Sequence, residues 1–342
     1  MKAAAFWEKM KGNRVRCKLC WRECEITPGA TGFCGVRKNV NGRLYSLNYG
    51  RVISCAVDPI EKKPFFHFAP GSRAFSFSSF GCNFACKFCC NYEISQEWKG
   101  VLSLAEEKTP EEIVALAKGV EGVSYTYSEP TVWVEFLLDI AKLARKEKLY
   151  NTMVTNGYMQ PSVAREIAKY VDAVVIDLKN SGNGKAYSEL SSVQHAERIF
   201  ENALEFYRKG LWIELTNLII PGYGDSDVEI RKFCRWVVEN LGSNVPVHFL
   251  RFFPSYKLLH VPPTPVEFLE KCLKIAKEEG INYAYLGNVP GSRYENTYCH
   301  ACGELLMERY GILLRRINLI RKGEKARCPH CGEEIPVRFF ER

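Results

Sequence analysis

The chain has 342 residues, 46% of them hydrophobic and 25% charged, enough to bury a sizeable core with one or two small satellites. Its formal charge of +8 comes from Lys and Arg scattered among Glu, so no nucleic-acid partner is indicated, and thiolate-rich metal sites would bring the loaded chain to about +3. No apolar run reaches the length of a membrane helix and MKAAAFWEKMKGNRVRC carries no signal-peptide core, so we expect a cytoplasmic protein in which 15 cysteines serve metal or catalysis rather than disulfides.

Three parts are predicted: a Cys-rich module and linker over 1–70, an α/β domain over 71–290, and a four-cysteine module over 291–342. The first carries Cys17-x₂-Cys20-x₃-Cys24-x₉-Cys34, a spacing that suits structural zinc or an auxiliary iron–sulfur cluster and decides neither. Cys55, Cys234 and Cys272 read as ordinary buried thiols. The tract from Asp58 to His67 is either part of a substrate mouth or a plain linker.

RAFSFSSF (73–80) has the alternation of a strand. Short β-branched or aromatic runs follow at 124–128, 151–157, 173–179, 211–220 and 245–253, with helical patterns between them. Thr109-Pro110-Glu111-Glu112, Ser226-Asp227-Val228-Glu229 and Thr264-Pro265-Val266-Glu267 each offer an N-cap hydroxyl with an acid three residues on. Six strand–helix units predict a parallel sheet with right-handed crossovers, either open and doubly wound or an incomplete barrel. In both, function gathers at the carboxyl ends of the strands. The aromatic tract His248–Tyr256 is expected both to form the sixth strand and to line a cavity. At the far end, Cys299-x₂-Cys302 and Cys328-x₂-Cys331 are paired knuckles, a tetrahedral S₄ pattern for zinc or a rubredoxin-like iron, with His300 and His330 outside the ligand set.

Directly after the first strand, GCNFACKFCCNYEISQ puts four cysteines into nine positions. Cys82, Cys86 and Cys89 sit too close for separate structural roles, and three thiolates can hold three corners of a [4Fe–4S] cluster. The fourth iron is then open, as a catalytic metal position must be. The competing reading is a zinc site completed by His67 or Cys90.

Cys82-x₃-Cys86-x₂-Cys89, with Phe88 before the last cysteine, resembles the signature of the radical SAM superfamily. The resemblance implies a partial (β/α)₆ barrel in which the open iron is chelated by S-adenosylmethionine. One electron from the cluster then yields methionine and a 5′-deoxyadenosyl radical that abstracts hydrogen from a substrate. Glu129-Pro130 resembles the end of a Gly-Gly-Glu-Pro-like motif that meets the methionine amino group, with Tyr127 and Ser128 where glycines are expected; the plain alternative for Glu129 is a helix cap. Thr155-Asn156-Gly157 resembles the family's Thr-Asn-Gly, or is simply a left-handed turn. Asp177-Leu178-Lys179 resembles the Asp-Leu-Lys of glycyl-radical activases, or is a buried ion pair. By the same resemblance Phe88, Glu129, Asn156, Asp177 and Lys179 border the cofactor. Those activases carry a basic residue on the fifth strand, where this chain reads Trp212-Ile213-Glu214; Arg251 is a substitute by position alone.

Longer stretches, among them DPIEKKPFFHFAPGS, YTYSEPTVW and GNVPGSRYENTYC, look like the radical SAM member of the AmmeMemoRadiSam system, a group similar to pyruvate formate-lyase activating enzymes. Cys90 stands where that group has glutamine. The resemblance implies an anaerobic oxidoreductase fed by ferredoxin or flavodoxin, with a protein glycine as candidate hydrogen donor. Radical modification of a small molecule or peptide is the alternative, and a zinc-binding scaffold without chemistry is the alternative of another class.

Overall fold

Strands buried on both faces read as near-continuous apolar runs, because a parallel sheet is covered by its crossover helices. AVVIDLK is such a run. In the computed structural model, whose described residues are 1–323 and 325–340, it lies in the middle of an eight-stranded sheet. The strands are β1 (Ser54–Pro59), β2 (Arg73–Ser78), β3 (Gly122–Tyr125), β4 (Tyr150–Thr155), β5 (Ala173–Lys179), β6 (Trp212–Ile219), β7 (Val247–Arg251) and β8 (Ala284–Gly287). They neighbour one another in chain order. β2 to β8 run parallel, and β1 is antiparallel to β2.

The strand order never reverses, so there is no switch point and the doubly wound alternative falls away. All six predicted strand–helix units are present. β8 lies outside them; its four residues, AYLG, are too short and too weakly β-branched to stand out in a sequence. Cys55 is a correction. It is exposed, because β1 is an edge strand with only one neighbour. Cys234 and Cys272 are buried as expected.

The covering helices are α1 (Tyr92–Ser95), α2 (Pro110–Leu116), α3 (Val134–Lys146), α4 (Pro161–Ile167), α5 (Gly184–Ser191), α6 (Glu197–Arg208), α7 (Asp227–Leu241) and α8 (Val266–Glu278). Thr109 starts α2 with a full capping box, and the Ser226 hydroxyl accepts from the Glu229 amide to start α7. Thr264 does not cap α8. Its hydroxyl accepts from the Phe252 amide at 3.0 Å and donates to the Ile219 carbonyl at 2.6 Å, tying the ends of β6 and β7 together. Among the described residues no helix is long and apolar enough to cross a membrane.

Two smaller layers flank the sheet. The N-terminal residues form three-stranded antiparallel sheets from Trp7–Lys9, Val15–Cys17 and Glu25–Ile26, and from Lys2–Ala3, Arg43–Ser46 and Arg37–Val40. Arg37 and Glu135 bind them to α3 through a buried ion pair at 2.7 Å. At the other end, Thr297–Tyr298, Leu305–Tyr310 and Leu313–Ile317 form one sheet and Ile320–Lys322, Lys325–Arg327 and Glu334–Ile335 another. Glu324, Glu341 and Arg342 of this predicted module lie outside the described residues.

The C-terminal residues share a core with β8, since Tyr283 and Tyr285 pack with Cys299, Leu306, Met307 and Cys328. Glu214, near the start of β6, is fully buried and accepts from the amides of Phe66 and His67 at 2.9 and 2.8 Å and from His248 Nε2 at 2.9 Å. It anchors the linker to the amino ends of the strands, which is where a barrel-like sheet keeps its structural rather than its chemical residues.

Candidate functional site

The chain leaves β2 and turns at Gly81, whose φ is 92°. A Cβ there would lie 2.8 Å from Val36 Cγ1 and 3.1 Å from the Cys34 carbonyl oxygen, so both the conformation and the space require glycine. The loop that follows is clamped by its neighbours. The amides of Ala85 and Lys87 donate to the carbonyls of Ser191 and Leu190, and Gln96 Nε2 donates to the Cys86 carbonyl at 2.9 Å. The sulfurs have polar company: Cys82 accepts from the Phe84 amide at 3.3 Å, Cys86 donates to Ser191 Oγ at 3.2 Å, and Cys89 lies 3.3 Å from Ser95 Oγ.

Burial raises the Cys82 thiol well above its usual range and Cys86 to about 12, the latter against the pull of Lys179 and Ser191. Thiols in this state become ligands only when a metal displaces their protons. Three soft donors on one loop fit a polynuclear cluster that meets each at a different iron.

The three cysteines line one cavity of about 530 Å³ at the carboxyl ends of β2 to β5, together with Glu129, Asn156, Asp177 and Lys179. Glu129 is buried. Its Oε1 accepts from the Thr131 amide at 3.1 Å, from Thr131 Oγ1 at 2.5 Å and from Thr155 Oγ1 at 2.6 Å, and its Oε2 accepts from the Asn156 amide at 2.8 Å. The helix-cap reading is therefore correct, and the same carboxylate also faces the cavity. Burial raises its pKa, against those donors. Asn156 donates through Nδ2 to Asn83 Oδ1 at 2.8 Å and accepts from the Tyr158 amide at 3.0 Å. Asp177 accepts from Lys179 Nζ at 2.7 Å and from Thr216 Oγ1 at 2.9 Å. Burial alone would lower Lys179, yet Asp177 and then Cys86 hold it above the usual lysine range. The two form a partly exposed ion pair, and both side chains line the cavity.

Other walls come from residues that sequence reasoning did not assign. Lys62, Lys63 and Tyr127 line the cavity, so the Asp58–His67 tract contributes part of its wall. Asp58 collects Lys62 Nζ at 2.8 Å, Lys63 Nζ at 2.7 Å and the Tyr127 hydroxyl at 2.5 Å. Burial lowers Lys63 to about 8 despite Asp58. The alternation of charge in DPIEKK was the available hint.

Phe88 is buried but is not part of the cavity wall; its ring lies 5.7 Å from Lys179 Nζ. The tract His248–Tyr256 also stays out of the cavity, a correction. Instead Tyr256 stacks on Tyr92 at 4.4 Å and so supports the cysteine loop from outside. Arg251 is committed to the Thr264 carbonyl at 2.9 Å. His67 is no ligand to this site. Its Nδ1 donates to the Pro336 carbonyl at 2.6 Å and its Nε2 accepts from the Tyr285 hydroxyl at 2.5 Å. Cys90 is an exposed residue at the rim.

The C-terminal cysteines are arranged differently. Among the described residues only Cys299, Cys302, Cys328 and Cys331 bring their ligand atoms within 4.8 Å of one another. Cys299 and Cys331 sulfurs stand at 3.7 Å, Cys302 and Cys328 at 3.6 Å. The two hooks share one pattern: Gly303 donates to Cys299 and Gly332 to Cys328, with φ of 79° and 78°. Four sulfurs gathered in this way have the donor arrangement that a single tetrahedral ion requires. His300 is taken by the Tyr283 hydroxyl at 2.8 Å. The N-terminal cysteines Cys17, Cys20, Cys24 and Cys34 line a separate small cavity of about 10 Å³.

The Radical SAM superfamily profile matches residues 77–237. An uncharacterized protein of Methanocaldococcus jannaschii is 45% identical over 339 residues, 98% of this chain and 99% of the relative. The pyruvate formate-lyase-activating enzyme of Clostridium pasteurianum is 26% identical over 168 residues, 46% of this chain and 69% of that protein. A radical SAM methyltransferase from Sphaerobacter thermophilus has a similar fold, with a TM-score of 0.51 at 16% identity over 69% of this chain and 71% of its own.

Proposed function

The chain belongs to the radical SAM superfamily, and on that premise we propose that Cys82, Cys86 and Cys89 hold three irons of a [4Fe–4S] cluster and leave the fourth to S-adenosylmethionine. When bound, that pair supplies one-electron cleavage of a sulfonium and so a 5′-deoxyadenosyl radical able to take hydrogen from a substrate. The chain's own residues bind, orient and enclose. Glu129 offers a carboxylate to the methionine ammonium. Asn156 braces Cys82 through Asn83. Asp177 keeps Lys179 charged beside the cluster loop.

The observation that carries this reading is the meeting of three loop cysteines with Glu129, Asn156, Asp177 and Lys179 around one cavity at the strand ends. We read the reaction as activase-like, with a protein glycine as hydrogen donor and a ferredoxin or flavodoxin as reductant. Similarity to a pyruvate formate-lyase-activating enzyme supports this. The C-terminal cysteines hold zinc in the same reading.

The test is anaerobic incubation of reconstituted protein with S-adenosylmethionine and dithionite. 5′-Deoxyadenosine should form, and deuterated glycine-loop peptides should pass deuterium into it. Cys86→Ala should abolish cleavage while about one zinc per chain remains. Persistent cleavage in that variant would overturn the ligand assignment.

A further inference from the structure

The Lys63 side chain is only 3% exposed, yet it stands on the wall of the strand-end cavity with Lys62 and Tyr127. Backbone contacts fix it from both sides. Its amide donates to the Ile60 carbonyl at 2.9 Å, closing the turn Ile60–Lys62. Three residues further on, the Phe66 amide is held by Glu214 at 2.9 Å. The tract thus runs from the cavity towards the amino ends of the strands.

One carboxylate there serves two ammonium groups. Asp58 Oδ1 accepts from Lys62 Nζ at 2.8 Å, and Oδ2 accepts from Lys63 Nζ at 2.7 Å and from the Tyr127 hydroxyl at 2.5 Å. Lys62 alone would neutralise Asp58, so pairing does not account for a second, buried ammonium on the cavity wall. Beyond Asp58, Lys63 Nζ packs on the Tyr127 ring, 4.1 Å from its centroid.

A lysine that is desolvated and set beside another cation loses its proton easily and becomes a nucleophile. Both conditions hold here. Burial, opposed by Asp58 and assisted by Lys62, brings Lys63 down to about 8. Burial and Asp58 hold the Tyr127 hydroxyl above the usual phenol range, so it keeps its proton.

We propose that Lys63 captures a small carbonyl compound, an aldehyde or a 2-oxo acid, as an imine in the cavity. The deprotonated Nζ bonds to the carbonyl carbon and gives up its two hydrogens. The carbonyl oxygen leaves with them as water, and nothing is oxidised or reduced. The Tyr127 hydroxyl, on the same Asp58 oxygen as Nζ, protonates the departing oxygen and is restored by the proton from nitrogen. The linkage gives the cavity a second class of substrate beside a protein glycine. Attack on the tethered compound by a deoxyadenosyl radical rests on the radical SAM reading; imine formation does not.

The test is reductive trapping on the reconstituted full chain. Pyruvate or propionaldehyde is added with sodium cyanoborohydride near neutral pH, and the alkylated lysines are mapped by peptide mass spectrometry. Lys63 should react at least about tenfold faster than exposed lysines such as Lys148 and Lys209, with a pH midpoint at about 8. Trapping of pyruvate assigns 2-oxo acids, and trapping of propionaldehyde alone assigns aldehydes. Lys63 left unlabelled by both, or labelled no faster than the exposed lysines, overturns the proposal. The native chain itself is mapped, so the result does not depend on a variant folding. An adduct on Lys63 in protein that forms no 5′-deoxyadenosine keeps the imine and sinks the radical SAM reading. 5′-Deoxyadenosine without an adduct does the reverse.

Discussion

Tyr127 sits where glycine is expected and still adopts the left-handed backbone, with φ of 64°. A side chain in that region is strained unless its surroundings hold it. Here the Tyr127 hydroxyl is bound by Asp58 at 2.5 Å and its carbonyl accepts from Asn91 Nδ2 at 2.9 Å. The glycine-like turn therefore survives, and the ring becomes a wall of the cavity beside Lys63. Tyr127→Phe removes the latch to Asp58 at a cost of about 1–1.5 kcal/mol. Binding of S-adenosylmethionine to the reconstituted protein should weaken about tenfold, with iron content unchanged. Unaltered binding by titration would show that the latch does not shape the site.

At the scale of elements, close approach between neighbours decides where substitution is tolerated. Gly122 on β3 faces the Tyr150 ring of β4, and a Cβ at that position would stand 2.0 Å from it. Neither the ring, fully buried against Phe340, nor the strand can yield without repacking. Gly122→Ala should cost at least about 1–3 kcal/mol, read as a lower urea midpoint by circular dichroism. Replacement of Gly81 acts on chemistry instead. It presses Val36 and Cys34 away from the Cys82 loop, so Gly81→Ala should lower the iron retained after reconstitution while the zinc content stays the same.

Across the whole molecule, His67 joins three parts: the linker that carries it, β8 through Tyr285, and the C-terminal module through Pro336. Its ring is fully buried, and burial lowers its pKa to about 4 from an unfolded value of 6.5. Between those values the unfolded chain takes a proton that the folded chain refuses, so stability falls as pH drops from 6.5 to 4. The loss is on the order of 3 kcal/mol at most. Glu214, lowered by its His248 partner against its own burial, acts in the same direction at lower pH. His67→Gln, which can still donate to Pro336 and accept from Tyr285, should flatten the slope of Tm against pH in that window. An unchanged slope would assign the acid sensitivity elsewhere. Because Arg309 is also buried and donates to the Phe66 carbonyl at 2.7 Å, removing metal from the C-terminal cysteines should lower the Tm of the entire chain in one transition.

Cysteine spacing, strand rhythm and the caps at Thr109 and Ser226 were readable along the chain, because ligands on one loop and hydrogen bonds three residues apart depend on local geometry. The same locality marked Glu129, Asn156, Asp177 and Lys179, each at or just beyond a strand end. What the chain order could not settle depends on register between distant elements. Lys62, Lys63 and Tyr127 reach the cavity only through the pairing of β1 with β2 and of β2 with β3. His67 is turned from a candidate ligand into a staple by residues more than 200 positions away. The cysteine groups look alike as motifs, and only the folded chain shows that Cys299, Cys302, Cys328 and Cys331 meet at one point, since that distance is set by packing between segments and not by the number of residues between them.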